Sequence, residues 1–169
     1  MPEFTVNQRR MDPYKNFKFR VVWDGSPVPG VLRVSPLLRT TEVIPARRGG
    51  EPSVERRSPG LTRYEPVLIE RGLTHDRAFE DWANKVWNIN AGAGQEASSE
   101  FRKDVIIELF NEAGQLVARF KLLRCWPSRY TALPELDAEG NAIALESLLL
   151  ENEGWLRDTS VQEPKEPSY

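Results

Sequence analysis

The sequence predicts a mainly β protein of the α+β class, with one α-helix beside its strands. Short segments of alternating or β-branched residues recur along the chain and end at turn signals, which is typical of antiparallel sheets. One segment near the middle instead spaces its apolar residues as a helix does. With 169 residues, 40% of them hydrophobic and 28% charged, the chain can bury one ordinary core. We therefore expect a single domain.

Four strands are predicted in the first half of the chain. Residues 17–23 place apolar side chains at every second position, which indicates a strand with one apolar face. A short second strand is predicted at 28–34, where Pro29 favours an edge strand or a strand start. Residues 40–46 are rich in β-branched types and predict the third strand, and residues 63–70 predict the fourth.

The helix is predicted to follow the fourth strand and a glycine turn. Asp76 is a suitable N-cap, and Glu80 and Asp81 complement the positive end of the helix dipole. Four apolar residues fall on one face and are predicted to pack the helix on a sheet: Phe79, Trp82, Ala83 and Val86. The small, polar segment 91–100 that follows predicts a loop.

A hairpin is predicted in the second half of the chain. Its strands are residues 104–110 and 116–124, and Gly114 suits a turn position with positive φ. The dipeptide Trp126-Pro127 is expected to end the second strand. Periodicity does not decide whether residues 142–151 form a helix or a strand.

Residue types that carry catalysis or metal binding are scarce. The chain has one histidine, His75, and one cysteine, Cys125, which excludes an internal disulfide and a metal site built on several histidines. We expect an exposed polar residue at His75, a buried small residue at Cys125, and core residues at Trp82 and Trp87. We predict no catalytic residue, no metal ligand and no cofactor, so the chain is not expected to be an enzyme.

Charge is unevenly distributed, although the formal net charge is only −2. Residues 45–60 are predicted to form a long exposed loop with four arginines, three glycines and three prolines. Its charged residues are predicted to contact another subunit: Arg47, Arg48, Glu51, Glu55, Arg56 and Arg57. Residues 133–169 carry nine acidic and two basic residues. These regions either attract each other between identical copies or are two solvated surfaces.

No targeting or membrane segment is predicted. The first fifteen residues lack the apolar stretch of a signal peptide, and no run approaches the roughly 20 apolar residues of a membrane span. We expect synthesis in the cytoplasm. Residues 1–13 are predicted to be a flexible N-terminal arm and residues 158–169 a flexible C-terminal tail.

Five segments together resemble the tube proteins of contractile phage tails and of related bacterial contractile injection systems. They are DPYKNFKFRVVWDG, VIPARRGGEPSVERRSPG, IERGLTHDRAFEDWANKVW, DVIIELFNEAGQLVARFKLLRCWPSRY and NAIALESLLLENEGW. The resemblance implies a tail-tube-like domain at 14–157, folded as a small antiparallel β-barrel or sandwich with one flanking helix. It also implies a strand at 142–151.

The resemblance further implies a structural subunit of an inner tube, made in the bacterial cytoplasm and resident in a contractile particle. Homohexameric rings would stack into a hollow conduit that sheath contraction drives into a target. The charged residues of the loop would then lie at a contact between subunits or stacked rings. The implied partners are identical copies, a sheath protein, baseplate and cap proteins, and cargo in the lumen. The residues alone leave two questions open. The chain could instead be a monomeric or dimeric β-barrel module that binds an anionic ligand, and its charged sheet faces could line the lumen or the outside.

Overall fold

The computed structural model describes residues 15, 18–47, 49, 50, 53–90 and 101–165, with the side chains of 88–90 left aside. The predicted N-terminal arm at 1–13, the predicted loop at 91–100 and Phe17 lie outside the described residues. Within the described ranges the elements are β1 (Phe19–Trp23), β2 (Ser26–Pro27), β3 (Val31–Val34), β4 (Arg39–Ala46), β5 (Arg56–Tyr64), β6 (Val67–Gly72), α1 (Ala78–Asn90), β7 (Lys103–Phe110), β8 (Leu116–Thr131), β9 (Leu145–Glu151) and β10 (Trp155–Arg157).

The strands form one large antiparallel sheet and one small one. The large sheet has the order β2-β1-β7-β8-β9-β6-β3, and β10 adds to β8 beside this path. Strands β4 and β5 form a separate two-stranded sheet. The mainly β class with a single helix is therefore confirmed for the described residues. Their large sheet ends at β2 and β3 and does not close into a barrel.

Strand β8 is longer than predicted, and Trp126-Pro127 does not end it. Its sixteen residues run through to Thr131, pairing with β7 as far as Cys125 and with β9 from Trp126 onwards. Arg124 has a φ of 50°, which bends the strand between its two partners. The register between β8 and β9 shifts directly after Pro127. Proline has no backbone N–H to donate, and Pro127 therefore lies where the hydrogen-bond ladder is already irregular.

The predicted loop at 45–60 and the predicted strand at 63–70 were both wrong in extent. Strand β5 already begins at Arg56 and pairs with β4 from Ala46↔Arg56 to Arg39↔Tyr64. Among the described residues the loop is therefore confined to 47, 49, 50 and 53–55. The strand expected at 63–70 is instead the end of β5 and the start of β6, separated by Glu65 and Pro66. The pattern was misleading because glycine and proline are depleted in strands, whereas pairing with β4 overrides that preference here.

Helix α1 packs on the sheet through its predicted apolar face. The Asp76 carboxylate accepts a hydrogen bond from the Ala78 amide at 2.9 Å, as an N-cap does. Phe79 and Trp82 are fully buried and lie 5.6 and 5.0 Å from the Trp23 ring between centroids. Ala83 and Val86 are half-buried.

Trp87 is not a core residue, contrary to the prediction. Its side chain is 68% exposed. Five helical positions separate it from Trp82, which places it about 140° further round the helix and away from the sheet.

The core is formed by buried residues of the large sheet and of α1. Its fully buried members are Val21, Val67, Ile69, Phe79, Trp82, Val105, Leu122, Cys125, Leu148 and Leu150. They come from β1, β6, β7, β8, β9 and the helix. The strand that the resemblance implied near the end of the chain is confirmed as β9, in which alternate residues are buried.

Candidate assembly surface

Strands β4 and β5 form an arm, defined here as residues 39–64, and the described residues of this arm are largely exposed. Every residue of β4 is exposed, and in β5 only Gly60 and Tyr64 are half-buried. The Thr41 and Thr62 hydroxyls lie 2.9 Å apart across the ladder, and Arg63 and Glu42 form an exposed ion pair at 3.2 Å. Such pairs stabilise weakly, and an isolated two-stranded sheet is marginal in water. We therefore expect the arm to be stabilised mainly by another surface that packs on it.

Exposed apolar side chains on the arm indicate that another surface packs on it. Val43, Ile44 and Leu61 are each more than half exposed. Val43 and Ile44 pair with Pro59 and Ser58 across the ladder, so the apolar residues lie near the middle of the arm. Scattered exposed apolar residues are ordinary, but a group on one projecting element is typical of an interaction surface.

The structure places the described members of the predicted inter-subunit site on this arm. Arg56 and Arg57 lie at the start of β5, opposite Ala46 and Pro45, and both are exposed. Arg47 and Glu55 flank the strands and are also exposed. Arg48 and Glu51 lie outside the described residues. The arm thus brings Arg47, Arg56 and Arg57 to one end.

A second charged surface crosses β1, β7 and β8. Glu108 is 6% exposed, and its carboxylate accepts hydrogen bonds from Arg20 Nε at 2.9 Å and from Arg119 Nη2 at 3.2 Å. Arg119 Nη1 also reaches Asp158 Oδ2 at 3.3 Å. Hydrogen bonds from Ser160, and then the Arg119 charge, lower the pKa of the Asp158 carboxyl. Arg20 of β1 and Arg119 of β8 are therefore held in one ion-pair network.

Sequence reasoning missed a buried polar cluster at the start of the helix. Arg71 and Glu146 are 1% and 3% exposed, and Arg71 Nε donates to Glu146 Oε1 at 2.5 Å. Arg71 Nη2 donates to the Asp76 carbonyl at 2.6 Å, and its guanidinium lies 4.2 Å from the Phe79 ring centroid. The Tyr130 hydroxyl donates to Glu146 Oε2 at 3.1 Å. Arg71 lies in the segment IERGLTHDRAFEDWANKVW, whose place in the family resemblance was the one signal of this cluster in the sequence.

The residues considered for catalysis lie apart from one another. His75 is exposed beside the helix cap, and Cys125 is buried in the core. Burial raises the pKa of the Cys125 thiol to about 12, so it is a poor nucleophile near neutral pH. In the part of the chain that the structure describes, no three potential metal-binding side chains of the His, Cys, Asp or Glu type come together. The described helix also lacks the length and apolarity for crossing a bilayer.

The sequence matches a known protein family over most of its length. Residues 15–156 match the sequence profile described as T4-like virus tail tube protein gp19. This match confirms the resemblance drawn from the five segments. No curated protein sequence matches the chain.

Several solved structures share the fold of this chain. A chain of the cryo-EM structure of the anti-feeding prophage cap, described as its tube terminating cap, has 24% identity and a TM-score of 0.73, covering 94% of this chain and 99% of that one. A chain of the anti-feeding prophage baseplate, 6-fold symmetrised, has 22% identity and a TM-score of 0.72, with coverages of 88% and 97%.

A third structure is an extracellular contractile injection system, the PVC sheath-tube complex in its extended state. The matching chain has 22% identity and a TM-score of 0.69, with coverages of 86% and 91%. Sequence identities this low establish only that the fold is shared. Membership of the family is established by the match to the sequence profile. The chain belongs to the tail tube protein family described by T4-like virus gp19.

Proposed function

We propose that this chain is the structural subunit of the inner tube of a contractile injection system or phage tail. Homohexameric rings stack into a hollow conduit that sheath contraction drives into a target. The observation that carries this proposal is the tail tube family match over residues 15–156. The similar structures support a sheath, a baseplate and a cap as partners, because they come from a sheath-tube complex, a baseplate and a tube cap.

Open sheet edges in the subunit support ring formation. The large sheet ends at the short strands β2 and β3, and the arm has its own unpaired edges within the described residues. Unpaired strand edges favour pairing with another chain. Head-to-tail contacts between identical copies satisfy every edge once the rotation closes a ring. The exposed apolar residues of the arm would be buried in the same step.

The basic end of the arm supports an electrostatic contact between copies. Arg47, Arg56 and Arg57 are exposed there, and the segment before β9 exposes the acidic residues Glu135 and Asp137. We propose that Arg47, Arg48, Arg56 and Arg57 meet acidic residues of a neighbouring copy, and that Glu51 and Glu55 belong to the same contact between subunits or stacked rings. Such complementarity speeds encounter and selects the register more than it adds affinity.

Charge reversal on the arm tests this contact. The variant Arg56→Glu/Arg57→Glu is expected to give a folded subunit, by circular dichroism, that forms no tubes in negative-stain images. The matched control is Arg77→Glu/Lys85→Glu, which reverses one exposed charge just before α1 and one on α1. This variant is expected to form tubes as the unchanged protein does. Normal tubes from the arm variant contradict the role of the arginines. If the unchanged protein forms neither rings nor tubes with its sheath and baseplate partners, the tube function itself is wrong.

Several finer points belong to the same proposal. We infer synthesis in the bacterial cytoplasm without a signal peptide, a purely structural role without catalysis, and cargo held in the lumen. The family assignment does not favour the alternative of a monomeric or dimeric module for an anionic ligand.

The domain limits at 14–157 and the two flexible ends remain predictions. Residues 158–165 retain contacts with the body, since Asp158 pairs with Arg119 and the Lys165 carbonyl accepts from Gln115 Nε2 at 3.3 Å. Amide hydrogen exchange along this segment measures whether it is mobile, and strong protection would contradict a flexible tail.

A further inference from the structure

The indole of Trp155 contacts the first and the last residue of the arm, and both of these residues lie at the base of the arm. Arg39 and Tyr64 form the first pair of the arm ladder, where the arm leaves the body. The Tyr64 ring lies edge-on to Trp155, 5.9 Å between centroids at 84°. The Arg39 guanidinium carbon lies 5.6 Å from the Trp155 ring centroid. Trp155 therefore holds the residue that begins the arm and the residue that ends it.

The same indole is fixed to the body of the subunit. Trp155 begins β10 and pairs with Leu122 of β8, which is fully buried. Its ring lies 6.2 Å from that of Phe120 at 73°, and it packs against the core cluster. Trp155 is thus a bridge between the arm and the core.

The turn before Trp155 is shaped around the base of the arm. Gly154 has a φ of 137°, and a Cβ at this position would lie 3.4 Å from two ring carbons of Tyr64. Asn152 Nδ2 donates to the Glu65 carbonyl at 3.2 Å, directly after the arm, and its Oδ1 accepts from the Gly154 amide at 3.1 Å. The backbone favours glycine here because its φ is positive, a conformation that other residues rarely adopt.

We propose that Trp155 is a positioning residue for tube assembly, which fixes the direction in which the arm leaves the subunit. This inference rests on the proposed function. The eight residues of β4 span about 26 Å at 3.3 Å per residue. A rotation of about 10° at the base would therefore move the end of the arm by about 4.5 Å, which is enough to misplace side chains at a specific interface. An arm held in one direction also loses less conformational entropy when it docks.

The variant Trp155→Leu tests the inference by two readouts. Spin labels on cysteines introduced as Ser58→Cys on the arm and Asn84→Cys on the helix report the distance distribution within single subunits. The buried Cys125 thiol, with its raised pKa, is not expected to react with the label. We expect Trp155→Leu to widen the distribution at least twofold and to lower the yield of tubes at least tenfold. Trp155→Phe, which keeps an aromatic ring, is expected to restore most of both.

Trp126→Leu is the matched control. Trp126 is also half-buried on β8 and lies edge-on to an aromatic ring, that of Phe101, at 6.3 Å. Its replacement is expected to lower the melting temperature by a similar amount while the distances and the tube yield stay unchanged. This comparison separates a loss of stability from a loss of arm direction.

A second variant keeps the inference testable if Trp155→Leu does not fold. Tyr64→Leu changes only the arm side of the contact and is expected to widen the distribution in the same way. The positioning role of Trp155 is overturned if the distance distribution stays unchanged. It is also overturned if the distribution widens while the tube yield stays normal. Failure of the unchanged protein to form tubes would contradict the proposed function instead, and the distances in single subunits would still decide whether Trp155 holds the arm.

Discussion

Arg71 Nε lies 2.5 Å from Glu146 Oε1, and both side chains are almost completely removed from solvent. The two residues are direct partners across β6 and β9. Arg71 also donates to the Asp76 carbonyl at 2.6 Å, so the ion pair joins the sheet to the start of α1. A buried pair of this kind adds little net stability, but the loss of one partner leaves an uncompensated charge in the core.

Replacing one partner of this pair is therefore expected to cost more than replacing both. Arg71→Met should lower the free energy of unfolding by roughly 3–5 kcal/mol, because Glu146 is left buried without its counter-ion. The double variant Arg71→Met/Glu146→Leu should regain most of that loss. Urea denaturation of the two variants and the unchanged protein measures the difference. A double variant as unstable as the single one would show that packing, not the stranded charge, causes the loss.

The two tryptophans of the helix are expected to respond in opposite ways to truncation. Trp82 is fully buried and its Nε1 donates to the Phe101 carbonyl at 2.6 Å, whereas Trp87 is 68% exposed. Trp82→Ala should lower the free energy of unfolding by about 3–5 kcal/mol through the cavity it leaves. Trp87→Ala should change it by less than about 0.5 kcal/mol. Thermal or urea unfolding tests both, and equal losses would contradict the assigned orientation of the helix.

Tyr130 is expected to make the free energy of unfolding depend on pH in the alkaline range. Burial, followed by the Glu146 charge, raises the pKa of Tyr130 from 10.0 to about 12. The folded protein therefore holds the phenol proton more tightly than the unfolded chain does. This contribution to stability is complete below pH 10 and is lost as the pH rises from about 10 to about 12.

The variant Tyr130→Phe isolates this effect. The buried thiol of Cys125 titrates in the same region, so the comparison is made in a Cys125→Ala background. We expect unfolding free energies measured between pH 9 and about 12 to fall less steeply in Tyr130→Phe. Equal slopes in the two proteins would exclude Tyr130 as the source.

Arg124 is expected to tolerate glycine better than a β-branched residue. Its φ of 50° lies in the left-handed region, and this is the point where β8 passes from β7 to β9. Arg124→Val should destabilise the protein by at least about 1 kcal/mol, because a branched side chain is strained there. Arg124→Gly should cost less than about 0.5 kcal/mol, since glycine removes the strain and the Arg124–Glu153 ion pair is exposed. Chemical denaturation of both variants gives the order, and a reversed order would contradict the bend.

Local patterns were sufficient where neighbours in the chain decide the structure. The Asp76 cap, the face carrying Phe79 and Trp82, and the hairpin turn at Gly114 depend on residues within a few positions of one another, and all three have the predicted geometry. The family resemblance added the strand β9, which periodicity left open.

Predictions were wrong where a distant or unusual partner decides the structure. The strand β5 begins in a segment of low strand preference because β4 supplies its hydrogen bonds. Strand β8 continues through Pro127 because a new partner, β9, takes over from β7. Trp87 has the same residue type as Trp82, but only the packing of the helix shows which of them is covered.

By itself, the sequence determined a mainly β chain with one capped helix, a basic segment ahead of that helix and membership of the tail tube family. These properties follow from composition, from short-range periodicity and from a pattern spread along the chain. Only the tertiary structure decided that Arg71 meets Glu146, 75 positions away, and that Trp155 holds the base of the arm. Such contacts depend on how strands align across the sheet, and a one-dimensional pattern does not specify that alignment.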